Sequence, residues 1–335
     1  MPMLPYVPKT LKHLNVTCLF MHAAKKLRYL IPQFQKSPFH QLHAKYQSAL
    51  TSVQELLPPL NSDLKKGECG RIGVVGGSLV YTGAPYFSAI TALKVGCDMV
   101  HVFCPAEAAN VIKGYSPELM VHPSYDRDTI AESLHRVDAF ILGPGLGREE
   151  KTLSVVECVI ESARKKNIPI IVDADGLFLL AKNLSIIHDY DQAILTPNHS
   201  EFNRLYQSVF KVDKIDRGKI ESGEAARQLA NHTGCTIFQK GPHDIITNGE
   251  ELHREESVGS PRRCGGQGDL LNGALAIFSY WAIRKNDSKP MISAGIAASQ
   301  LIRWAAEVSF ERNGRSSTAS DMIAEIPGLI RLCEP

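Results

Sequence analysis

The sequence lacks the cysteine patterns that mark disulfide scaffolds and zinc sites. Its eight cysteines include no C-x-x-C pair, and none stands with histidine at the spacing of zinc ligands. We therefore interpret the cysteines as scattered, reduced and mostly buried thiols. A reducing compartment such as the cytosol or the mitochondrial matrix fits this composition, and a secreted disulfide-rich fold does not.

Long apolar runs and several common cofactor motifs are also missing. Residues 14–20 are too few and too polar for a signal-peptide core or a membrane span, so a membrane is not expected as a partner. The sequence has no P-loop, no dinucleotide fingerprint and no G-x-S-x-G elbow. No basic face interleaved with aromatic residues is visible after the N-terminal stretch, which argues against a nucleic-acid partner.

Acidic residues are absent from the first 54 positions, which contain seven of the 37 lysines and arginines. The remaining positions carry 30 basic and 35 acidic residues, so the basic character is confined to the N-terminal stretch. Transit peptides also lack acids, although they are usually richer in arginine. We predict that residues 1–54 form a basic leader, either a transit peptide or a disordered segment, and that residues 55–335 form one large domain. The leader favours a mitochondrial location, with the cytoplasm as the alternative.

Beyond residue 70, short apolar runs alternate with helical patterns. Each apolar run ends at a turn that contains Gly, Asp or Asn. Runs without alternation are typical of strands buried on both faces. Amphipathic stretches such as residues 152–165 and 223–232 lie between them. The pattern predicts an α/β fold with a mostly parallel central sheet covered by helices on both faces, and ligands bind beyond the carboxyl ends of such strands. The predicted strands are 72–75, 139–142, 170–172, 193–195 and 236–238, followed by a hairpin strand at 245–247.

A glycine-rich segment, residues 259–268, precedes an apolar run with helical spacing. Backbone N–H groups at a helix start are unpaired and carry the positive end of the helix dipole, and glycine lets an anion approach them. Asp269 would repel such an anion unless it takes a proton from a hydroxyl that attacks a phosphoryl group. A tight turn in which Asp269 only caps the helix is the alternative.

Basic residues lie close to this segment in two places. Lys240 follows a predicted strand and suits a nucleotide phosphate as a mobile point charge, although a solvated hairpin lysine explains it equally well. The pair Arg262 and Arg263 suits charge-assisted hydrogen bonds to phosphate oxygens, with a solvated basic turn as the alternative.

Oxygen-bearing side chains follow two other predicted strands. Asn198 and Glu201 stand three residues apart, so they share one face of a first helical turn. Together they predict an Mg²⁺ site in which water bridges to the ion, while the same spacing is that of a capping box. Asp173 and Asp175 end another strand, where they are candidates to hold hydroxyl groups.

These motifs resemble those of the ribokinase-like superfamily and, within it, the ATP-dependent (S)-NAD(P)H-hydrate dehydratases. The resemblance covers residues 60–332 and implies a three-layer α/β sandwich. It also implies repair of hydrated NADH or NADPH, in which ATP with Mg²⁺ phosphorylates the ring hydroxyl and phosphate then leaves. The motifs that carry it are Gly73-Val-Val-Gly-Gly-Ser78, Tyr81-Thr-Gly-Ala-Pro-Tyr86, Gly143-Pro-Gly-Leu-Gly147, Asp173-Ala-Asp-Gly176, Thr196-Pro-Asn-x-x-Glu201, Lys240-Gly241 and Arg262-Arg-Cys-Gly-Gly-Gln-Gly-Asp269.

The resemblance assigns roles to residues by motif. It agrees with the catalytic residues predicted from the glycine-rich segment, which are Asp269 as proton acceptor and Gly266, Gln267 and Gly268, whose amides would hold the phosphoryl group. For ATP it implies Lys240, Gly241, Pro242, His243, Asp244, Gly259, Ser260, Pro261, Arg262, Arg263, Cys264, Gly265, Gly266, Gln267 and Gly268. For the hydrate it implies Gly145, Asn198, His199, Ser200, Glu201, Phe202, Asn203, Arg204 and Asp269.

Partners and rival functions follow from the same comparison of motifs. A separate epimerase is expected to interconvert the two hydrate epimers, and self-association into a homo-oligomer stays open. One rival is a small-molecule kinase of this fold that releases a phosphorylated pyrimidine, thiazole or sugar. A second rival is a nucleotide sensor without turnover. An NAD-dependent dehydrogenase is disfavoured because the dinucleotide fingerprint is missing.

Overall fold

A nine-stranded sheet forms the centre of the described domain, in the order β3-β2-β1-β4-β5-β6-β7-β8-β9. The computed structural model describes residues 51–133, 136–212 and 223–334, so almost all of the predicted leader lies outside the described residues. Strands β1 to β7 run parallel to their neighbours, and β8 and β9 add an antiparallel edge. The strands are β1 (Arg71–Val75), β2 (Met99–Phe103), β3 (Leu119–His122), β4 (Ala139–Leu142), β5 (Ile170–Val172), β6 (Ala193–Leu195), β7 (Thr236–Gln239), β8 (Ile245–Thr247) and β9 (Leu252–Arg254).

Helices cover both faces of the sheet, which confirms the predicted fold class. On one face, α4 to α7 bury a core with Phe140, Leu142 and Val172 of the strands. On the other face, α1 packs on β1 and β2, while α8 packs on β4 and β5 and contacts α1 and α9. The helices are α1 (Gly83–Val95), α2 (Ala106–Tyr115), α3 (Arg127–Ser133), α4 (Glu150–Lys166), α5 (Ala174–Leu180), α6 (His199–Phe210), α7 (Glu224–Thr233), α8 (Gln267–Arg284), α9 (Pro290–Asn313) and α10 (Ala319–Cys333).

The central strands are apolar because both of their faces are covered. Every residue of β4, β5 and β6 is buried, so the chain needs continuous aliphatic runs here rather than an alternating pattern. The polar residues that follow these runs therefore emerge together at the carboxyl edge of the sheet. This edge is where ligands bind in open parallel sheets.

The described cysteines agree with the interpretation as reduced thiols. Six of them are buried, Cys264 is half-buried, and all seven are unpaired. None of the helices in the described part of the chain has the length and apolarity to cross a bilayer.

Candidate active site

Three neighbouring strands deliver polar side chains to one cavity of about 660 Å³. Asp173 directly follows β5, Asn198 follows β6 and Lys240 directly follows β7. The start of α8 and one face of α9 complete the wall. The lining residues are Asp173, Ala174, Asn198, Glu201, Lys240, Gly241, Pro242, Asp244, Gly259, Ser260, Arg263, Cys264, Gln267, Gly268, Asp269, Leu271, Ser299, Ile302, Arg303, Ala306 and Met322.

A buried ion pair lies at the base of the cavity. Lys240 Nζ is 2.6 Å from Asp173 Oδ1, and Asn272 Nδ2 donates to Asp173 Oδ2 at 2.8 Å. Burial opposes the charge of both groups, but the pair holds the pKa of Asp173 below and that of Lys240 above the ordinary value. Glu201 contributes to the raised pKa of Lys240. Lys240 is therefore a fixed positive charge rather than a solvated hairpin lysine.

The start of α8 lies directly against this ion pair. Gly266 is its N-cap with φ of 96°, and a Cβ there would lie 2.7 Å from the Cβ of Ala319. Only glycine suits that position. A Cβ on Gly268 would lie 3.3 Å from Lys240 Nζ. The first turn of α8 and the lysine ammonium thus lie side by side. The unpaired N–H groups of a helix start, together with a positive charge, favour binding of an anion.

Asp269 lies on this first turn and lines the cavity. Burial and the nearby Asp173 carboxylate raise the pKa of Asp269 to about 8, against the opposing charge of Lys240. A carboxyl group with a pKa near neutrality suits a general base, since it both accepts and releases a proton at working pH. The structure thus brings the Asp269 carboxyl group into the same cavity wall as Lys240 and the start of α8.

Asn198 and Glu201 form a capping box at the start of α6. The Asn198 side chain accepts from the N–H groups of Ser200 and Glu201 at 2.9 and 3.0 Å, and Glu201 Oε2 accepts from the Asn198 N–H at 2.8 Å. These bonds occupy the amide oxygen of Asn198. Burial, opposed by Lys240, raises the pKa of Glu201, whose carboxylate also lines the cavity. The capping box uses the side-chain oxygen of Asn198 and only one carboxylate oxygen of Glu201. Of the two residues predicted to bind Mg²⁺, Glu201 therefore keeps an oxygen, Oε1, outside the capping box.

The other residues predicted for the hydrate do not line this cavity. Phe202 is 1% exposed and belongs to the core, and the Arg204 guanidinium lies over the Phe178 ring. Gly145 lies at the neighbouring junction of β1 and β4, where a Cβ would be 2.7 Å from the Cβ of Tyr81. The remaining predicted residues lie in the first two turns of α6 and do not line the cavity. They are His199, Ser200 and Asn203.

The junction of β1 and β4 adjoins the cavity through the Asp173 backbone. A Cβ on Gly143 would lie 2.0 Å from the Asp173 carbonyl oxygen, so only glycine permits this approach. Asp175, a candidate for hydroxyl binding, instead accepts from the Gly147 N–H at 3.0 Å and pairs with Arg148 at 2.8 Å. Its carboxylate therefore fixes the loop after β4.

The loop after β7 is held by its own acid. Asp244 Oδ1 accepts from the Gly241 N–H at 2.9 Å, and Oδ2 accepts from Ser299 Oγ at 2.6 Å and pairs with Arg303 at 2.9 Å. His243 lies beside the Glu255 carbonyl at 3.1 Å and is absent from the cavity wall. Asp244 thus shapes the loop, and Gly241 and Pro242 line the cavity with it.

The two adjacent arginines have different positions. Arg263 lines the cavity at its mouth, whereas Arg262 does not line it and donates to the Arg263 carbonyl at 2.7 Å. The side-chain amide of Gln267 donates to the Arg262 carbonyl at 3.1 Å, which fixes the turn before α8. Pro261 and Gly265 belong to the same turn without contributing to the wall.

An apolar wall, which the sequence motifs do not indicate, closes the other side of the cavity. It consists of Leu271, Ile302, Ala306 and Met322 from three helices. Apolar walls beside a few polar groups are typical of sites for small organic ligands. Within residues 51–133, 136–212 and 223–334, no three His, Cys, Asp or Glu side chains are grouped to hold a metal ion.

The chain matches a family model described as NAD(P)H-hydrate dehydratase over residues 72–328. ATP-dependent (S)-NAD(P)H-hydrate dehydratase of Homo sapiens is 45% identical over 293 residues, covering 84% of this chain and 83% of that protein. The protein of the same name from Bos taurus is 44% identical over 309 residues, covering 88% and 93%.

Solved structures show the same fold at lower identity. A ribokinase-like superfamily protein of Enterococcus faecalis has a TM-score of 0.73 and 19% identity, covering 85% of this chain and 95% of that chain. An ADP/ATP-dependent NAD(P)H-hydrate dehydratase of Bacillus subtilis, co-crystallised with ATP and Mg²⁺, has a TM-score of 0.65 and 20% identity, covering 85% and 97%. These two structures support the ribokinase-like fold, and the match to the family model extends over most of the sequence. The chain therefore belongs to the NAD(P)H-hydrate dehydratase family.

Proposed function

We propose that this protein is an ATP-dependent hydro-lyase that converts the S-epimer of hydrated NADH or NADPH into NAD(P)H, with release of ADP and inorganic phosphate. The observation that carries the proposal is the Asp269 carboxylate beside the α8 amides and Lys240, in a cavity with an apolar wall. The curated relatives that bear the name of this activity support it.

The first step is phosphoryl transfer to the ring hydroxyl. Asp269 accepts the hydroxyl proton as the oxygen attacks the γ-phosphorus of ATP, and the bond to the β-phosphate oxygen breaks to release ADP. The N–H groups at Gly266 to Gly268 and the Lys240 ammonium stabilise the negative charge on the transferring group. Burial of these groups strengthens that stabilisation, because water screens them less.

The second step is elimination of phosphate. The C–O bond breaks and phosphate leaves with the bonding electrons. Water takes a proton from the adjacent ring carbon, and the electrons of that C–H bond form the ring double bond. Hydroxide is a poor leaving group and phosphate is a good one. This difference explains why a dehydration uses a kinase-like site.

Magnesium fits this site as an ion held mainly by ATP. Mg²⁺ keeps several waters and takes one or two protein carboxylates together with substrate phosphates, and it neutralises phosphate charge. We propose that the Glu201 carboxylate, whose Oε1 atom lies outside the capping box, would hold the ion. Asn198 then acts by fixing Glu201, because its amide oxygen already accepts two backbone hydrogen bonds.

The rate should depend on pH through Asp269. Only the ionised carboxylate accepts the hydroxyl proton, and its pKa is raised to about 8. We therefore expect kcat/KM for the hydrate to rise about tenfold per pH unit below pH 8 and to level off above it. Steady-state kinetics between pH 6 and 9.5 measure the profile, and a flat profile across this range would exclude Asp269 as the base.

Arg263 should matter more for ATP than Arg262, since only Arg263 lines the cavity. We expect Arg263→Ala to raise the KM for ATP about tenfold, as loss of a charge-assisted hydrogen bond does, with a smaller effect on kcat. Arg262→Ala is the matched comparison and should change the KM for ATP less than about threefold. Initial-rate kinetics at varied ATP concentration measure the KM for ATP of both variants. A larger rise in this KM for Arg262→Ala than for Arg263→Ala would contradict the prediction.

An assay with hydrated NADPH, ATP and Mg²⁺ tests the function. The dehydratase restores the absorbance of reduced nicotinamide and releases one phosphate for each NADPH formed. A small-molecule kinase of the same fold would instead accumulate a phosphorylated product without that absorbance, and a nucleotide sensor would turn over nothing. Failure to restore the absorbance with a verified S-hydrate would refute the proposal.

We also propose three features of the protein in the cell. A separate epimerase would supply the S-hydrate from the R-epimer, because a stereospecific dehydratase cannot consume both. The acid-free basic residues 1–54 would direct the protein to mitochondria. Imaging of fluorescent fusions with and without this segment tests this location.

The third feature is self-association of the protein into a homo-oligomer. Light scattering of the purified protein measures its mass in solution and tests this proposal.

A further inference from the structure

Arg303 of α9 is a buried arginine that contacts both segments expected to bind ATP. It is 9% exposed and itself lines the cavity, one residue after Ile302 of the apolar wall. We propose that Arg303 is a positioning residue that holds these two segments in their ATP-binding arrangement. The proposal rests on the proposed function, because it assigns the cavity to ATP.

The first segment is the loop after β7. The Arg303 guanidinium donates to the carbonyl oxygens of Gly241 at 3.0 Å and Pro242 at 2.9 Å. Its Nε donates to Asp244 Oδ2 at 3.0 Å, and the same carboxylate accepts from the Gly241 N–H. One guanidinium therefore fixes both the backbone and the acid of the loop that carries Lys240.

The second segment leads into the glycine-rich turn before α8. Arg303 donates to the Ser257 carbonyl oxygen at 3.0 Å. Gly259 lies directly on the arginine stem, since a Cβ there would be 3.4 Å from Arg303 Cγ. The two segments do not share a strand or a helix, and Arg303 bonds to both of them.

The contacts require the shape of arginine as well as its charge. A guanidinium offers five N–H donors in a fixed plane, whereas a lysine ammonium offers three around one point. Lysine would keep the charge near Asp244, but a single nitrogen cannot reach three carbonyl oxygens on two loops. The loops would then have to be ordered by ATP itself, which weakens binding.

Arg303→Lys tests the proposal, with Arg312→Lys as the matched control. Arg312 lies on the same helix and pairs with Glu325 at 2.8 Å at a half-exposed position. For Arg303→Lys we expect at least about tenfold weaker binding of Mg²⁺ and a non-hydrolysable ATP analogue, measured by calorimetry. The KM for ATP should rise in proportion, while the KM for the hydrate stays within about twofold. Arg312→Lys should match the wild type in all three.

Two results would overturn the proposal. One is a folded Arg303→Lys protein that binds the analogue within twofold of the wild type. The other is an equal rise in both KM values, which indicates a general loss of structure. If Arg303→Lys does not fold, Ser299→Ala replaces it, because Ser299 donates to the same Asp244 oxygen at 2.6 Å. Binding of the analogue should then weaken about threefold, and unchanged binding would count against the proposal.

The binding measurement separates this proposal from the function. If the wild type binds the analogue but does not dehydrate the hydrate, the proposed function is refuted. The proposal for Arg303 then still requires that Arg303→Lys weakens binding of the analogue. If the wild type does not bind the analogue, both proposals are refuted.

Discussion

Replacement of Asp269 by asparagine is expected to lower kcat at least about 100-fold, as loss of a general base does. Asparagine keeps the size of the side chain but cannot accept the hydroxyl proton. Binding of ATP should persist or tighten, because the substitution removes a negative charge beside the anion site. Turnover of hydrated NADPH and calorimetric binding of an ATP analogue measure the two quantities separately.

The melting temperature of Asp269→Asn shows whether a loss of activity comes from a loss of folded structure. Because the pKa of Asp269 is raised in the folded protein, the unfolded chain loses its proton at lower pH. Stability is therefore lost as pH rises from about 4 to about 8, and asparagine removes this loss. We expect Asp269→Asn to melt at or above the wild-type temperature at pH 8. Asp128→Asn, at an exposed position of α3, should change neither activity nor melting. Turnover of Asp269→Asn within tenfold of the wild type would contradict the mechanism.

The sequence predicted the strands that lead to the site because their signal is local. An aliphatic run that ends in Gly, Asp or Asn is visible without knowing its neighbours. Strands β2, β3 and β9 are missing from the sequence prediction, and β2 and β3 both contain a buried or half-buried histidine. His101 Nδ1 and His122 Nε2 lie 2.9 Å apart, so each polar ring satisfies the other across the two strands. A partner 21 residues away leaves no local signal.

In the site too, features that depend on nearby residues could be predicted from the sequence, and contacts between distant residues could not. The helix start at Gly266 and the capping box of Asn198 depend on nearby residues, and the sequence contains their patterns. The ion pair of Lys240 with Asp173 joins positions 67 residues apart, so the motifs gave the residues but not their pairing. Arg303 lies in a long apolar helix. Arg303 is the one charged residue between positions 290 and 306 of this helix, and that isolation was the available signal for a paired, buried charge.

Replacement of Lys240 by methionine is expected to lower kcat by about 100- to 1,000-fold, the effect of losing one fixed donor to a developing negative charge. Methionine keeps most of the length of the side chain without its charge. Lys94→Met, at an exposed position in the last turn of α1, is the control and should retain full activity. The same hydrate assay measures both variants.

A second substitution separates the catalytic role of Lys240 from its structural role. Lys240→Met leaves the buried Asp173 carboxylate without its counter-ion, and breaking a buried pair in this way costs about 3–5 kcal/mol of stability. Adding Asp173→Asn removes the unpaired charge and retains a side chain beside Asn272. The double variant should therefore melt at a higher temperature than Lys240→Met and yet remain inactive. Recovery of activity together with stability would show that the lysine serves only to neutralise Asp173, and that the α8 amides alone stabilise the transferring phosphoryl group.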